Sequence, residues 1–319
     1  MRFATACLVA LLGAASVHAA DSFRPPGRLI DVGGHKVHLY CTGKKVSPTV
    51  VMIAGASSFS IDFALVQPVL SRTSRVCAFD RAGYAWSEPY GVLDDHEQVI
   101  RDLRAALMKA GERQGYVLVG QSMGSRFARL YYAQHPTDVA GMVLIDGEHE
   151  DGLFILANGK PAAISSLSDA EFTAATPPAS APPQRVPVAR LEPAYEKLPT
   201  RLQQEHLWLM TRLFDGMRAA PAADVDAFQK KSHTSLLTLH QIDAAPHPLG
   251  DLPLIVLSAG RNDGNLHRRL QMDLARMSTN SRLVVVDDSD HEIHLSRPDV
   301  VIRAINDVTQ AARTKTKLQ

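Results

Sequence analysis

Gly120-Gln121-Ser122-Met123-Gly124 follows the apolar run Tyr116 to Val119 and precedes a segment in which Phe127, Leu130 and Tyr131 recur at helical spacing before the stop at His135-Pro136. The setting carries more weight than the pattern. A serine between a strand and a helix must sit on a strained turn at the strand tip, and flanking glycines let strand and helix approach without side-chain clashes. An ordinary glycine-rich turn has no need of that placement. Ser122 is therefore the candidate nucleophile.

Outward from this turn, short and nearly continuous apolar runs recur at Thr49 to Ala54, Arg75 to Asp80, Val139 to Ile145, Leu254 to Ser258 and Arg282 to Val286, as expected for strands covered on both faces. Upstream, Arg28 to Val32 and Lys36 to Cys41 flank Gly33-Gly34, a hairpin signature. Helical patterns separate most of the runs: Val99, Leu103 and Leu107 in one, and Ile302, Ile305 and Val308 after Pro298 in the last. Strands alternating with helices argue for an α/β fold with a mostly parallel sheet of eight strands and helices on both sides.

A serine hydroxyl is a weak nucleophile and needs a base that a third group orients. His291, in Ser289-Asp290-His291-Glu292-Ile293-His294, follows the last strand and is expected to lie level with Ser122; His294 is its competitor. The acid is expected after the preceding strand, where Ala259-Gly260-Arg261-Asn262-Asp263 supplies Asp263. Asp146, which ends the strand beside the nucleophile's own, is the alternative. Two backbone N–H groups must meet the oxyanion, one from Met123 and the other from the small-residue loop Gly55-Ala56-Ser57-Ser58, with Ala56 the candidate.

The chain has 319 residues, 45% of them hydrophobic, with 34 Lys and Arg against 33 Asp and Glu. So even a balance gives no field to attract nucleic acid, and the expected partner is a small molecule. No Gly-x-Gly-x-x-Gly, Walker loop, His-Glu-x-x-His or Cys-x-x-Cys pattern occurs, so no cofactor or metal is called for. Residues 1–19 read as a secretory signal: Arg2, the apolar run Ala4 to Ala15, and Val17-His18-Ala19 as a small-x-small cleavage pattern. The run is too short to span a bilayer, so stable membrane insertion is not expected, and the mature chain is expected to be periplasmic or secreted. Residues 148–250 break the strand and helix rhythm. The proline cluster Pro177 to Pro187 precedes helical stretches with Leu202, Leu209, Leu213, Phe214 and Met217 near one face, then Val225, Phe228, Leu236 and Leu237.

The order of elements, together with Gly120 to Gly124, Gly260 to Asp263 and His291, resembles the α/β-hydrolase superfamily. Asp80-Arg81-Ala82-Gly83, followed by Ser87, is similar to the Asp-Arg-x-Gly turn of its esterase-like, dehalogenase-like and epoxide-hydrolase-like branches. Serine at 122 points away from the last two, whose members carry an aspartate nucleophile. The resemblance implies a core over residues 20–147 and 251–319, a helical cap over 148–250, and cleavage of small or medium carboxylic esters through a Ser-His-Asp triad. Lactone, amide and certain carbon–carbon bonds are alternatives on the same scaffold, and a non-catalytic binding protein is the alternative from another class. Three departures stand out: Ala54-Gly55 where His-Gly is usual, Ala85 where glycine is common, and Asp290 in place of the glycine before the histidine. In the strand order that the resemblance implies, the second and fourth strands are neighbours, which brings Cys41 and Cys77 within reach of a disulfide; two buried thiols are the alternative.

Overall fold

The apolar runs pair into a single sheet. In the computed structural model, which describes residues 23–91, 93–112, 114–155, 161–163, 166–168, 170–171, 188–261 and 264–318, the strands are β1 (Arg28–Asp31), β2 (Lys36–Thr42), β3 (Thr49–Ile53), β4 (Arg75–Asp80), β5 (Tyr116–Gln121) and β6 (Val139–Ile145). A separate two-stranded ladder, β7 (Leu153–Ile155) with β8 (Pro161–Ala163), comes before β9 (Leu254–Ala259) and β10 (Ser281–Val286). The expected leader and the proline cluster lie outside the described residues. The large sheet has eight strands in the order β1-β2-β4-β3-β5-β6-β9-β10, antiparallel at β1·β2 and β2·β4 and parallel elsewhere. Gly33 and Gly34 turn the opening hairpin at φ of 110° and 102°, values that side chains with a Cβ rarely adopt.

The helices are α1 (Gln67–Leu70), α2 (His96–Lys109), α3 (Met123–Gln134), α4 (Thr200–Ala219), α5 (Ala222–Asp243), α6 (Asn265–Arg276), α7 (Ile293–Ser296) and α8 (Pro298–Thr314), with α2 and α3 on one face of the sheet and α8 on the other. The period of two along each strand divides the core. Val51 and Ile53 of β3 pack with Leu103 of α2 and Phe127 of α3, while Val50 and Met52 pack with Ile305 and Val308 of α8. Each fully buried side chain of this kind contributes about 1.5–3 kcal/mol. α2 starts at Asp95, whose carboxylate accepts the Glu97 N–H at 3.2 Å. Sequence periodicity passed over α6, although Leu270 and Leu274 are buried four residues apart along it.

Between β6 and β9, α4 lays Leu209, Leu213 and Phe214 against Phe59, Ile61 and Tyr84, which come from the segments after β3 and β4. Met217, expected on that face, is exposed. Cys41 and Cys77 stand opposite one another on β2 and β4 and are joined by a disulfide. Among the described residues no helix is long and apolar enough to cross a membrane.

Candidate active site

Ser122 joins β5 to α3 at φ 51° and ψ −122°, a conformation that costs a non-glycine residue about 1–3 kcal/mol. The surrounding backbone holds it there. Its N–H donates to the Ile145 carbonyl at 3.0 Å, and its own carbonyl accepts the Ser125 N–H at 3.0 Å, the Ser125 hydroxyl at 2.7 Å and the Glu148 N–H at 3.1 Å. Neither glycine of the turn is replaceable: a Cβ on Gly120 would lie 2.5 Å from the Gly124 carbonyl oxygen, and one on Gly124 2.1 Å from that of Ile53. Met123, the first residue of α3, leaves its N–H without an intrahelical acceptor at the foot of the serine.

The neighbouring strand tip supplies a carboxylate. Asp146 follows β6 at φ 44°, its N–H bonded to the Leu257 carbonyl at 2.7 Å. Its Oδ2 accepts from His291 Nδ1 at 2.6 Å, while Oδ1 accepts the Ala259 N–H at 2.8 Å and His267 Nε2 at 2.9 Å. Burial alone would raise this carboxyl, but the hydrogen bonds from His267, His291 and Ala259 hold it down at about 2. Asp263, the expected acid, lies outside the described residues. Among the described residues the carboxylate hydrogen-bonded to His291 is Asp146, the alternative.

His291 is half-exposed, while His294 is fully buried against Phe63 with neither ring nitrogen hydrogen-bonded among the described residues. Burial pushes His294 down to about 4. Burial also acts to lower His291, yet the hydrogen bond to Asp146 and the charges of Glu292, Asp146 and Asp290 outweigh it and raise this imidazole above its ordinary value. With Nδ1 donating to Asp146, the neutral ring carries its lone pair on Nε2, the nitrogen 3.4 Å from Gln121 Nε2 beside the serine turn.

The loop after β3 closes over Ser122. A Cβ on Gly55 would fall 2.9 Å from Ser122 Cβ, so only glycine allows this approach. Arg81 holds the loop from its carbonyl side, donating from Nη1 to Ala54 at 2.7 Å and from Nη2 to Gly55 at 3.0 Å, with its Nε on Asp94. The Gly55 N–H is already taken by Gln121 Oε1 at 3.1 Å, which leaves exposed Ala56 as the next N–H of the loop. Sequence reading missed His267, Gln121 and Glu292. Gln121 occupies a variable place in the serine motif, and Glu292 adjoins His291; only contact in space distinguishes them.

Comparison with known proteins agrees with this architecture. The model of the alpha/beta hydrolase family matches residues 50–304. YqjL of Bacillus subtilis, an uncharacterized protein, is 23% identical over 270 residues, 83% of this chain and 84% of that one. YbdG of the same organism, also uncharacterized, is 29% identical over 122 residues, 38% of this chain, so the match spans only 37% of YbdG. A thermophilic esterase from Thermogutta terrifontis superposes with a TM-score of 0.62 at 17% identity, covering 89% of this chain and 97% of its own, a likeness of fold alone.

Proposed function

The chain belongs to the alpha/beta hydrolase family, and from that premise we propose that it cleaves small or medium carboxylic esters through a covalent acyl intermediate on Ser122. The observation that carries the reading is the 2.6 Å contact of His291 Nδ1 with Asp146 beside a serine held in a strained turn. On this reading His291 Nε2 takes the hydroxyl proton as Ser122 Oγ attacks the acyl carbon. Asp146 keeps the proton of the neutral ring on Nδ1 and stabilises the imidazolium that follows. The N–H groups of Met123 and Ala56 receive the oxyanion, His291 returns the proton to the leaving alcohol, and water then releases the acid by the same steps in reverse. An exported location is part of the proposal, and the Cys41–Cys77 disulfide supports it, since such bonds persist in oxidising compartments.

The test is Ser122→Ala, which is expected to abolish both turnover of p-nitrophenyl esters and labelling by a fluorophosphonate while leaving the melting temperature within a few degrees. Full turnover in that variant ends the nucleophile assignment. Across acyl lengths the wild-type rate is expected to peak at short or middle chains, without a jump when substrate exceeds its solubility. Interfacial activation on triglyceride would refute the small-ester reading.

A further inference from the structure

On the side of His291 away from Asp146, a buried amide links three parts of the site. Gln121 is 2% exposed, and the orientation of its amide is set by the Gly55 N–H, which can only donate: Oε1 must face Gly55, so Nε2 turns the other way. There it donates to Glu292 Oε2 at 3.2 Å and lies 3.4 Å from His291 Nε2, beyond the usual range of a strong N–H bond. One side chain thus touches the loop after β3, the base and the residue next to the base.

We propose that Gln121 and Glu292 form a positioning pair, in which Glu292 holds the Gln121 amide and the amide holds the loop so that the Ala56 N–H faces the developing oxyanion. The inference rests on the reading of Ser122 as nucleophile. Arg81 grips this loop only by carbonyl oxygens, at Ala54 and Gly55, and that leaves its N–H side to Gln121. A loop held from both sides is preorganised, which is what stabilises charge as it forms. The fit is close: a Cβ on Gly55 would lie 2.4 Å from Gln121 Oε1. The far end of the amide is anchored by a carboxylate of the segment that carries His291. Base and oxyanion loop are therefore set relative to one another, and a shift of the Glu292 segment moves both. Glu292 also lies 3.6 Å from His294 Nδ1, and its carboxyl is raised to about 7 by burial, with Asp62, Glu192 and Asp290 adding to that and His291 opposing it. A protonated carboxyl retains a carbonyl oxygen that accepts from Gln121, so the hold survives in either state.

The experiment compares Gln121→Leu, Glu292→Leu and Glu292→Gln with Ser122→Ala on p-nitrophenyl butyrate, and measures inhibition of each active variant by a trifluoromethyl ketone, which mimics the oxyanion. Gln121→Leu is expected to lower kcat roughly 10- to 100-fold with KM changed less than about threefold, and to weaken the ketone by the same factor as kcat/KM. Glu292→Leu should behave likewise, and Glu292→Gln, which keeps an oxygen acceptor, should recover most of the lost rate. If Gln121→Leu does not fold, the two Glu292 variants decide alone. A kcat near wild type in the leucine variants overturns the pair, as does a loss in Glu292→Gln equal to that in Glu292→Leu, or a fall in rate without weaker ketone binding. Activity remaining in Ser122→Ala would instead overturn the serine reading beneath it.

Discussion

Replacing Asp146 with asparagine removes one charge and one acceptor, and the surroundings dictate which way the amide must point. Among the described residues Oδ1 accepts two donors, the Ala259 N–H at 2.8 Å and His267 Nε2 at 2.9 Å, whereas Oδ2 accepts His291 Nδ1 at 2.6 Å. The backbone N–H of Ala259 cannot change sign, so the single oxygen of asparagine takes the Oδ1 place and its NH2 faces His291. Nδ1 must then accept, which moves the ring proton to Nε2, the nitrogen that has to receive the serine proton. A base held in the wrong tautomer costs about 10⁴ in kcat, or about 5 kcal/mol of transition-state stabilisation. The fold is weakened as well. A carboxyl held at about 2 rather than 3.8 contributes about 2 kcal/mol of stability at neutral pH, present above the unfolded value and lost as pH falls toward about 2. Steady-state hydrolysis of p-nitrophenyl butyrate by Asp146→Asn and Asp263→Asn measures the first effect, and thermal melting the second. Asp146→Asn is expected to lose about four orders of magnitude in kcat with little change in KM, and Asp263→Asn less than about tenfold. A large loss confined to Asp263→Asn would refute the reasoning.

The two histidines should separate by kind of damage. His291→Ala is expected to be nearly inactive yet folded, whereas His294→Ala, which empties a buried site against Phe63, should lose about 2–4 kcal/mol of stability and keep most of its turnover when folded. Because His291 must be neutral to accept a proton and its folded-state pKa is raised, kcat/KM should climb with pH through a midpoint above the ordinary histidine value of 6.5. A midpoint at or below that value would contradict the role of Asp146 and the other neighbouring carboxylates. Alkylation of unreduced, unfolded protein should modify neither Cys41 nor Cys77. Given a sequence separation of 36, Cys41→Ala with Cys77→Ala should cost about 4 kcal/mol of stability in the loop-entropy account; two alkylated thiols, or no change in the melting curve, would count against the bridge.

What the sequence made legible was local. Strand runs such as Thr49 to Ile53, covered on both faces, announce themselves as unbroken apolar stretches, and Ser122 is marked by glycines whose absence of a Cβ the packing requires. The acid was ambiguous because Asp146 and Asp263 both follow strands, and order along the chain favoured the later one. The contact that seats Asp146 beside His291, its Oδ1 with the Ala259 N–H, joins residues 113 positions apart and exists only because β6 pairs with β9. Helix α6, which sends His267 to the same carboxylate, was hidden among the charges of Arg268, Arg269 and Asp273, although Leu270 and Leu274 give its buried side.

The same distinction between local pattern and distant contact bears on how α4 meets the core. Apolar spacing foretold that Leu209, Leu213 and Phe214 would be buried, but not what fixes the helix in place. Its His206 donates from Nδ1 to Asp62 at 2.8 Å, with both side chains buried and Tyr195 stacked on the imidazole at 4.0 Å. Burial would raise the Asp62 carboxyl, yet His206, the Ser58 hydroxyl and the Phe59 N–H keep it below its ordinary value. Lifting α4 would strand a buried carboxylate whose remaining partners are one hydroxyl and one backbone N–H. Removing one partner of such a pair costs about 3–5 kcal/mol, on top of the apolar surface exposed at Phe59 and Tyr84. A helix held in this way opposes the wide opening that an emulsified substrate demands, in keeping with the small or medium esters proposed above.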